Sequence, residues 1–261
     1  MIKLKSAAEI EIMRQAGALL SRVLTELIRR AAPGVSTFEL DAIAEKMMRE
    51  NGAEPLFKGY RSGGDGRPFP STVCTSIDTE VVHAPADPGR TLREGQLLKL
   101  DIGLRYRGLC ADMAATVGIG KITTAAAKLS AVTKESLLVG VGKVRPGGWI
   151  SDIGKAVDKH ARRHGYSTVK DLVGHGIGQH LHEEPPVPNF FDATMEPVEM
   201  EPGMVICIEP MINAGSDEVG SLDDGWTVAT ADGQLSAHWE VTVAVTKDGY
   251  EILTPIPDID K

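Results

Sequence analysis

The strongest constraint on the fold is a pattern of helix, break and second helix that occurs twice in the chain. Three pairs of turn residues are separated by the same number of positions: Pro33 and Pro146, Gly34 and Gly147, and Gly52 and Gly165. Each pair of predicted helices is followed by segments that alternate like strands. A unit of two helices and several strands therefore occurs twice, in halves of about residues 1–120 and 121–261.

Capping signals set the bounds of these helices, because Ser6 with Glu9 and Ser36 with Glu39 form capping boxes. The predicted helices run from Ser6 to about Arg30, from Ser36 to Asn51, from Thr124 to about Val144 and from Ser151 to His164. No Pro/Gly/Ser-rich or charged spacer separates the halves, which predicts one domain over residues 1–261. The expected fold class is α+β: a shared, largely antiparallel sheet with helices on its outer face and a site on its inner face.

Composition narrows the class of protein. The 261 residues carry 28 basic and 36 acidic side chains, and the net charge of −8 disfavours a general nucleic-acid binder. The three cysteines are far apart and form no CxxC pair, which indicates neither a disulfide framework nor a zinc knuckle and fits a reducing cytoplasm. No apolar run approaches the ~18 residues of a membrane span, so we expect no membrane partner.

Two aspartates are predicted to lie on one face of a strand pair between Gln96 and Val117. If the chain reverses between Tyr106 and Arg107, Asp101 and Asp112 are directly opposed, with Cβ atoms roughly 4.5–5.5 Å apart. Like charges at that distance repel unless a cation lies between them. If the turn is Arg107-Gly108 instead, the two carboxylates are diagonal neighbours, and both registers remain open.

A second polar cluster is the segment GHGIGQHLHEEP, residues 174–185. Within it, His175 and His182 are flanked by small residues and stand close to carboxylates, which makes them candidates for metal binding or proton transfer. By contrast, His160 and His164 lie on a predicted helix beside two arginines. We interpret those two as ordinary surface residues.

Two glutamates, Glu209 and Glu240, stand inside apolar strands and are therefore expected to be buried. An arginine partner is one alternative for each, but neither strand has a basic residue beside the glutamate, so a shared cation is the simpler partner. The resulting set of ligands is Asp101, Asp112, His175, Glu209 and Glu240. Four carboxylates and one imidazole suit two divalent ions of Mn, Fe, Co or Zn, and such a pair activates water for hydrolysis.

The segment from Gly59 to Pro70 is rich in glycine and charge and is predicted to be a loop. It is either a mobile lid or a neutral surface insertion. The composition favours an insertion.

Specific motifs extend over nearly the whole chain: Pro33-Gly34-Val35-Ser36-Thr37, Pro70-Ser71-Thr72-Val73-Cys74, Leu100-Asp101-Ile102, Gly174-His175-Gly176-Ile177-Gly178, His182-Glu183-Glu184-Pro185, Ile208-Glu209-Pro210-Met211, Asp224-Gly225-Trp226-Thr227-Val228 and Trp239-Glu240. On these motifs the chain resembles type I methionine aminopeptidases, which have the pita-bread fold. The resemblance implies the same five metal ligands, with Glu240 and Asp112 shared by both ions.

The resemblance also implies a reaction: a metal-bridging hydroxide attacks the carbonyl of an N-terminal methionine, and Glu209 accepts the proton of the water. It places His83 and His182 beside the scissile peptide as substrate-binding and proton-shuttling residues. The methionine side chain would enter a pocket formed by Tyr60, Phe69, Cys74, Leu181 and Trp226. The implied substrates are peptides and nascent proteins with a small second residue. The implied setting is a bacterial cytoplasm. We expect a monomer because no long apolar stripe indicates a partner helix, and the sequence leaves contact with the ribosome open.

Some residues depart from the family pattern near the site, at Ala84, Cys110, Met113 and Val241. We expect them to alter metal preference, rate or specificity without removing the ligands. Two other functions remain alternatives: an Xaa-Pro aminopeptidase or prolidase, and a peptide-binding relative without turnover. Retention of the five ligand positions and the Glu209-Pro210-Met211 sequence favour methionine removal over both.

Overall fold

Four helices flank the sheets in the computed structural model, which describes residues 2–61 and 67–258. They are α1 (Ala7–Arg30), α2 (Thr37–Glu50), α3 (Thr124–Val141) and α4 (Ile150–Arg163). The capping boxes of Ser6 and Ser36 are both formed, which confirms the starts predicted for α1 and α2. The third helix ends a few residues earlier than predicted, at Val141. None of these four helices is long and apolar enough to cross a membrane.

Fifteen short strands make up the rest of the described fold, and every pairing between them is antiparallel. In chain order they are β1 (Glu54–Pro55), β2 (Val73–Ile77), β3 (Glu80–Val82), β4 (Leu97–Tyr106), β5 (Leu109–Gly118), β6 (Ser167–Thr168), β7 (Gly174–Gly176), β8 (Glu183–Val187), β9 (Val205–Ile208), β10 (Met211–Asn213), β11 (Val219–Ser221), β12 (Val228–Thr230), β13 (Ser236–His238), β14 (Val241–Val245) and β15 (Tyr250–Ile252).

Two larger sheets meet at the centre of the molecule. In the first, β4 pairs with β5 on one edge and with β1 and β2 on the other; the second has the order β15-β14-β9-β7-β8. They are joined where Ala114 of β5 and Glu240 exchange backbone hydrogen bonds of 3.0 and 3.3 Å. This junction places the carboxylates of β4 and β5 beside Glu240.

The register of the β4–β5 hairpin corrects one sequence prediction. Asp101 pairs with Ala114 and Asp112 with Gly103, so the two aspartates are not directly opposed. The turn is Arg107-Gly108, with φ of 50° and 83°. A two-residue hairpin turn of this kind needs positive φ at both central positions, which glycine adopts without strain. The alternative register, with diagonal carboxylates, is therefore the correct one.

The main hydrophobic core lies between the helices and the outer face of the sheets. It contains residues of both halves, among them Leu24 and Leu100 from the first half and Val157 and Val243 from the second. Because side chains alternate along β4, Leu100 and its apolar neighbours face this core while Asp101 faces the opposite side. The expected arrangement, with helices outside and a site inside, is confirmed.

Candidate metal centre and active-site cavity

A cavity of about 470 Å³ opens on the inner face of the sheets. Every site residue predicted from the sequence lines it: Tyr60, Phe69, Cys74, His83, Asp101, Asp112, His175, Leu181, His182, Glu209, Trp226 and Glu240. These residues come from many different strands and loops of both halves, and only the fold brings them together.

Three buried carboxylates form one wall of the cavity. Asp101 of β4, Asp112 of β5 and Glu240, which lies just before β14, each have an oxygen within 4.8 Å of the other two. One oxygen of each is buried and has no hydrogen-bond partner. Buried polar atoms are almost always paired, and unpaired buried carboxylates are especially unfavourable. This arrangement therefore fits a site for cations.

An imidazole and a fourth carboxylate complete the cluster. The Nε2 atom of His175 lies 3.5 Å from Glu209 Oε1 and 3.9 Å from Asp112 Oδ2. The other ring nitrogen of His175 is 2.9 Å from the carbonyl oxygen of Gly176, and a hydrogen bond donated there leaves Nε2 with a free lone pair. Glu209 follows the last residue of β9, and Asn189 Nδ2 donates to its carbonyl oxygen at 3.1 Å.

Burial and mutual repulsion keep these carboxyl groups from ionising easily. Burial raises the pKa of Asp101 to about 7. The pKa values of Asp112, Glu209 and Glu240 lie well above their usual range, first because of burial and then because of the neighbouring carboxylates. Burial lowers the pKa of His175 to about 4, so its imidazole is neutral near pH 7. Deprotonated ligands and a neutral imidazole are the forms that bind metal, and bound cations favour them.

The cluster fits a pair of divalent ions. Its donors are carboxylate oxygens and one imidazole nitrogen, which suit Mn²⁺, Fe²⁺, Co²⁺ or Zn²⁺. A basic partner was the alternative, but the buried side chain of Lys99 does not take this role. Its ammonium donates to the carbonyl oxygens of Asp78 (2.8 Å) and Ser236 (3.2 Å).

A thiol that the sequence analysis left without a role lies beside the cluster. The sulfur of Cys207 is within 4.8 Å of donor atoms of His175 and Glu240. Cys207 precedes Glu209 by two residues on a strand, so the two side chains share a face. This alternation is the sequence signal that identifies it.

Two further histidines line the cavity. His83 follows β3 with φ of 62°, a conformation that non-glycine residues rarely adopt and that is enriched at functional sites. Protein surrounds the ring of His83, and solvent reaches it from the cavity. Burial and, to a smaller extent, the proximity of His182 lower the pKa of His83 to about 4. His182 Nδ1 lies 2.9 Å from the hydroxyl of Tyr60, and burial lowers the pKa of His182 as well.

The apolar side of the cavity is formed around Phe69, whose ring meets that of Trp226 edge-on at 5.2 Å. Phe69 N–H donates to the carbonyl of Tyr60 at 2.8 Å, which places both aromatic residues at the base of the Gly59–Pro70 loop. Sequence reasoning missed Phe57 and Arg67, which also line the cavity. Residues 62–66, the centre of the loop predicted to be a lid or an insertion, lie outside the described residues.

The four residues that depart from the family pattern lie in different surroundings. Met113 and Val241 belong to the main hydrophobic core, on the opposite faces of their strands from Asp112 and Glu240. Cys110 is buried, and its sulfur lies 3.7 Å from the carbonyl oxygen of Gln179. Ala84 N–H donates to Ser76 Oγ at 3.2 Å.

Comparisons with known proteins identify the family. The model of metallopeptidase family M24 matches residues 11–247. The chain is 44% identical to a methionine aminopeptidase of Clostridium perfringens, over 98% of this chain and 100% of that protein. It is 41% identical to methionine aminopeptidase 1 of Bacillus subtilis, over 98% and 100% of the two chains.

Solved structures of methionine aminopeptidases are also similar to this chain. A methionine aminopeptidase of Thermotoga maritima superposes with a TM-score of 0.92 at 33% identity, covering 97% of this chain and 99% of that one. A prolidase of Pyrococcus horikoshii shares the fold at a TM-score of 0.77 and 21% identity, over 97% of this chain and 64% of that one. The chain belongs to the methionine aminopeptidases of metallopeptidase family M24.

Proposed function

We propose that this protein removes the N-terminal methionine from peptides and nascent proteins in a metal-dependent hydrolysis, with a preference for a small second residue. The observation that carries the proposal is the position of the carboxylate and imidazole cluster at the wall of a cavity whose other side is aromatic and apolar. An unbranched thioether side chain fills such a cavity well. The similarity to methionine aminopeptidases over the full chain supports the same function.

The metal ligands in this proposal are Asp101, Asp112, His175, Glu209 and Glu240. Their support is the mutual distances of their donor atoms and the unpaired buried oxygens of three of them. A bound pair of divalent ions supplies Lewis-acid polarisation of the scissile carbonyl and of a water molecule. The ions are of Co, Mn, Fe or Zn, which share a preference for this donor set.

In this proposal, side chains of the protein accept and donate the protons of the reaction. We assign to Glu209 the acceptance of the proton from the attacking water, because its carboxylate faces the cavity and contacts the ligand His175. His83 and His182 are assigned to bind the substrate and shuttle protons. Both are neutral near pH 7 because burial lowers their pKa values, and a neutral imidazole both accepts and donates a hydrogen bond. Tyr60 orients His182.

The methionine pocket in this proposal consists of Tyr60, Phe69, Cys74, Leu181 and Trp226. Phe69, Cys74 and Leu181 belong to one buried apolar cluster, against which Tyr60 and Trp226 pack. Asp224 holds the pocket's rim, since its carboxylate accepts hydrogen bonds from the N–H groups of Trp226 (2.9 Å) and Thr227 (2.8 Å).

We further propose that residues 1–261 act as one catalytic domain and as a monomer in the cytoplasm. A hydrophobic core with residues of both halves supports the single domain, and three free, buried cysteines support a reducing compartment. Contact with the ribosome is part of the proposal because nascent proteins emerge there. Lys159 and Arg163, four residues apart on the exposed face of α4, offer charge complementarity to ribosomal RNA.

The experiment compares three peptides as substrates. Metal-stripped protein is reconstituted in turn with Mn²⁺, Co²⁺, Fe²⁺ and Zn²⁺ and incubated with Met-Ala-Ser, Leu-Ala-Ser and Ala-Pro peptides. We expect release of methionine from the first peptide and little release from the others. Cleavage of Ala-Pro alone would assign the protein to the Xaa-Pro peptidases, and binding of Met-Ala-Ser without cleavage by any metal form would assign it a peptide-binding role.

A further inference from the structure

A second cluster of metal-binding side chains lies on the outer surface, apart from the cavity. It consists of Glu135 on α3 and His160 and His164 on α4. One carboxylate oxygen and two ring nitrogens of these residues lie within 4.8 Å of one another. The sequence predicted both histidines to be ordinary surface residues because they lie beside Arg162 and Arg163. Glu135 is distant in sequence, and only the packing of α3 against α4 brings it to them.

Helix geometry explains why the three side chains converge. His160 and His164 are four residues apart and therefore share one face of α4; their ring centroids are 4.7 Å apart. The helices approach closely at Gly140, where an added Cβ would lie 2.7 Å from a methyl group of Val157. As a result, Glu135 Oε2 reaches to 3.2 Å from His160 Nε2.

We propose that Glu135, His160 and His164 form a surface site for a divalent transition-metal ion such as Zn²⁺. Two imidazoles and one carboxylate are a common zinc ligand set that leaves a position for water. Zinc–ligand distances of ~2.0–2.2 Å place neighbouring tetrahedral donors about 3.3 Å apart. His160 and Glu135 already satisfy this spacing, and the exposed side chain of His164 is free to complete it by rotation.

Neighbouring charges make this site weaker than the buried one. Lys143, Arg145, Lys159 and Arg163 line the same surface groove as His160 and repel a cation. Lys155 and Arg162 are paired with Asp152 and Asp158. Glu135 supplies the negative charge among the three ligands, in contrast to the four carboxylates of the cavity. Because solvent and salt screen these surface charges, repulsion lowers the affinity without abolishing binding.

Occupancy of this site has two consequences that do not depend on the proposed function. An ion held by α3 and α4 binds the folded state more tightly than the unfolded chain, so it raises the unfolding temperature as its concentration rises. The folded protein also binds one more equivalent of zinc than its cavity holds. The zinc content of the wild-type protein would therefore exceed that of a variant without this site by one equivalent.

The test is equilibrium dialysis against Zn²⁺ followed by metal analysis, with the full chain as wild type, Glu135→Gln, His164→Ala and the matched control Lys159→Ala. We expect Glu135→Gln and His164→Ala each to lose one zinc equivalent. Lys159→Ala should keep that equivalent and bind it more tightly, because a repelling charge has been removed.

Equal zinc content in wild type, Glu135→Gln and His164→Ala would overturn the proposal. Far-ultraviolet circular dichroism confirms that each variant is folded. The three substituted residues, Glu135, Lys159 and His164, are all exposed, so we expect no loss of structure. Methionine release by the same samples reports separately on the cavity. It stays unchanged if the lost equivalent belongs to the surface site, and its failure in every sample would count against the proposed function alone.

Discussion

Asp112 lies directly across the β4–β5 ladder from Gly103. A Cβ atom at position 103 would lie 3.3 Å from Asp112 Oδ1 and 2.8 Å from the ring of Phe57. The missing side chain therefore leaves space for a carboxylate beside an aromatic wall of the cavity. This relationship connects the hairpin register to the geometry of the proposed metal centre.

Replacing this glycine tests that connection. We expect Gly103→Ala to displace the Asp112 carboxylate and to lower metal affinity ~10–100-fold, the size of effect that groups supporting a metal ligand commonly have. Titration of metal-stripped protein with Co²⁺ measures the affinity. Gly220→Ala is the control, because a Cβ there meets nothing within 4 Å. Equal Co²⁺ affinity in Gly103→Ala and Gly220→Ala would show that the Asp112 carboxylate does not need the space at position 103.

The raised pKa of Asp101 predicts how stability depends on pH in the metal-free protein. Its carboxyl group has a pKa of about 7 in the folded state against an ordinary value of 3.8, so folding takes up a proton between these values. The stabilisation from this proton is complete below about pH 4 and is lost as the pH rises to about 7. The pKa values of His83 and His175 are lowered in the folded state, so the contribution of these two groups to the free energy of unfolding increases as the pH rises.

A comparison with Asp101→Asn tests this, because the substitution removes the titration of Asp101 together with its repulsion of Asp112 and Glu240. We expect the free energy of unfolding of wild type minus that of Asp101→Asn to fall by an amount on the order of a few kcal/mol from pH 4 to pH 7. Urea unfolding of both metal-free proteins at several pH values gives this difference. A difference that stays constant or grows with pH would contradict the assignment of a protonated Asp101.

Tyr60 is expected to position His182 through the hydrogen bond between its hydroxyl and Nδ1. Tyr60→Phe removes this bond and keeps the ring, and a hydrogen bond of ~0.5–1.5 kcal/mol corresponds to a loss of up to about tenfold in kcat. The pH dependence of kcat should shift as well, because the imidazole loses a partner. His182→Ala should cost more, ~10²–10⁴-fold. An unchanged kcat and pH profile in Tyr60→Phe would rule out this positioning role.

A buried ion pair fixes the N-terminal segment to the strand after His182. Lys5 Nζ lies 2.7 Å from Glu183 Oε2, and the two side chains are only 5% and 8% exposed. We expect Lys5→Met to destabilise the protein by about 3–5 kcal/mol, because it leaves a buried carboxylate without its cation. The double variant Lys5→Met/Glu183→Gln should recover part of this loss, and the exposed Lys3→Met should have little effect. Urea unfolding of the wild type and the three variants measures these free energies of unfolding. Equal stability of Lys5→Met and Lys3→Met would contradict the predicted role of the ion pair.

Local signals in the sequence predicted the helices well, because a cap such as Ser6 with Glu9 depends only on residues that are neighbours along the chain. Alternation also assigned Asp101 and Asp112 to the inner face of the sheet. Of the two registers that the sequence left open, the one with directly opposed carboxylates is wrong. Alternation alone does not distinguish between two adjacent turns. The positive φ of Arg107 and Gly108 decides it, and the glycine was the signal that favoured the alternative.

Contacts between distant segments could not be predicted from residue patterns. The approach of Glu135 to His160 depends on how α3 packs against α4, and the ion pair of Lys5 with Glu183 depends on where the N-terminal segment ends. The proximity of Cys207 to His175 likewise depends on the pairing of β7 with β9. The resemblance to known enzymes identified the pocket residues as a set, and the structure brings all of them to one cavity.

The central claim is that the four carboxylates and His175 hold the metal that removes methionine. Its most direct test is the rate of methionine release from Met-Ala-Ser as Co²⁺ or Mn²⁺ is added in steps to metal-stripped protein, with Asp112→Asn as the paired variant. We expect no release without metal, a rise that saturates as the cavity fills, and a loss of at least ~10²-fold in Asp112→Asn. Full activity of the stripped protein, or of Asp112→Asn at the same metal concentration, would contradict the claim.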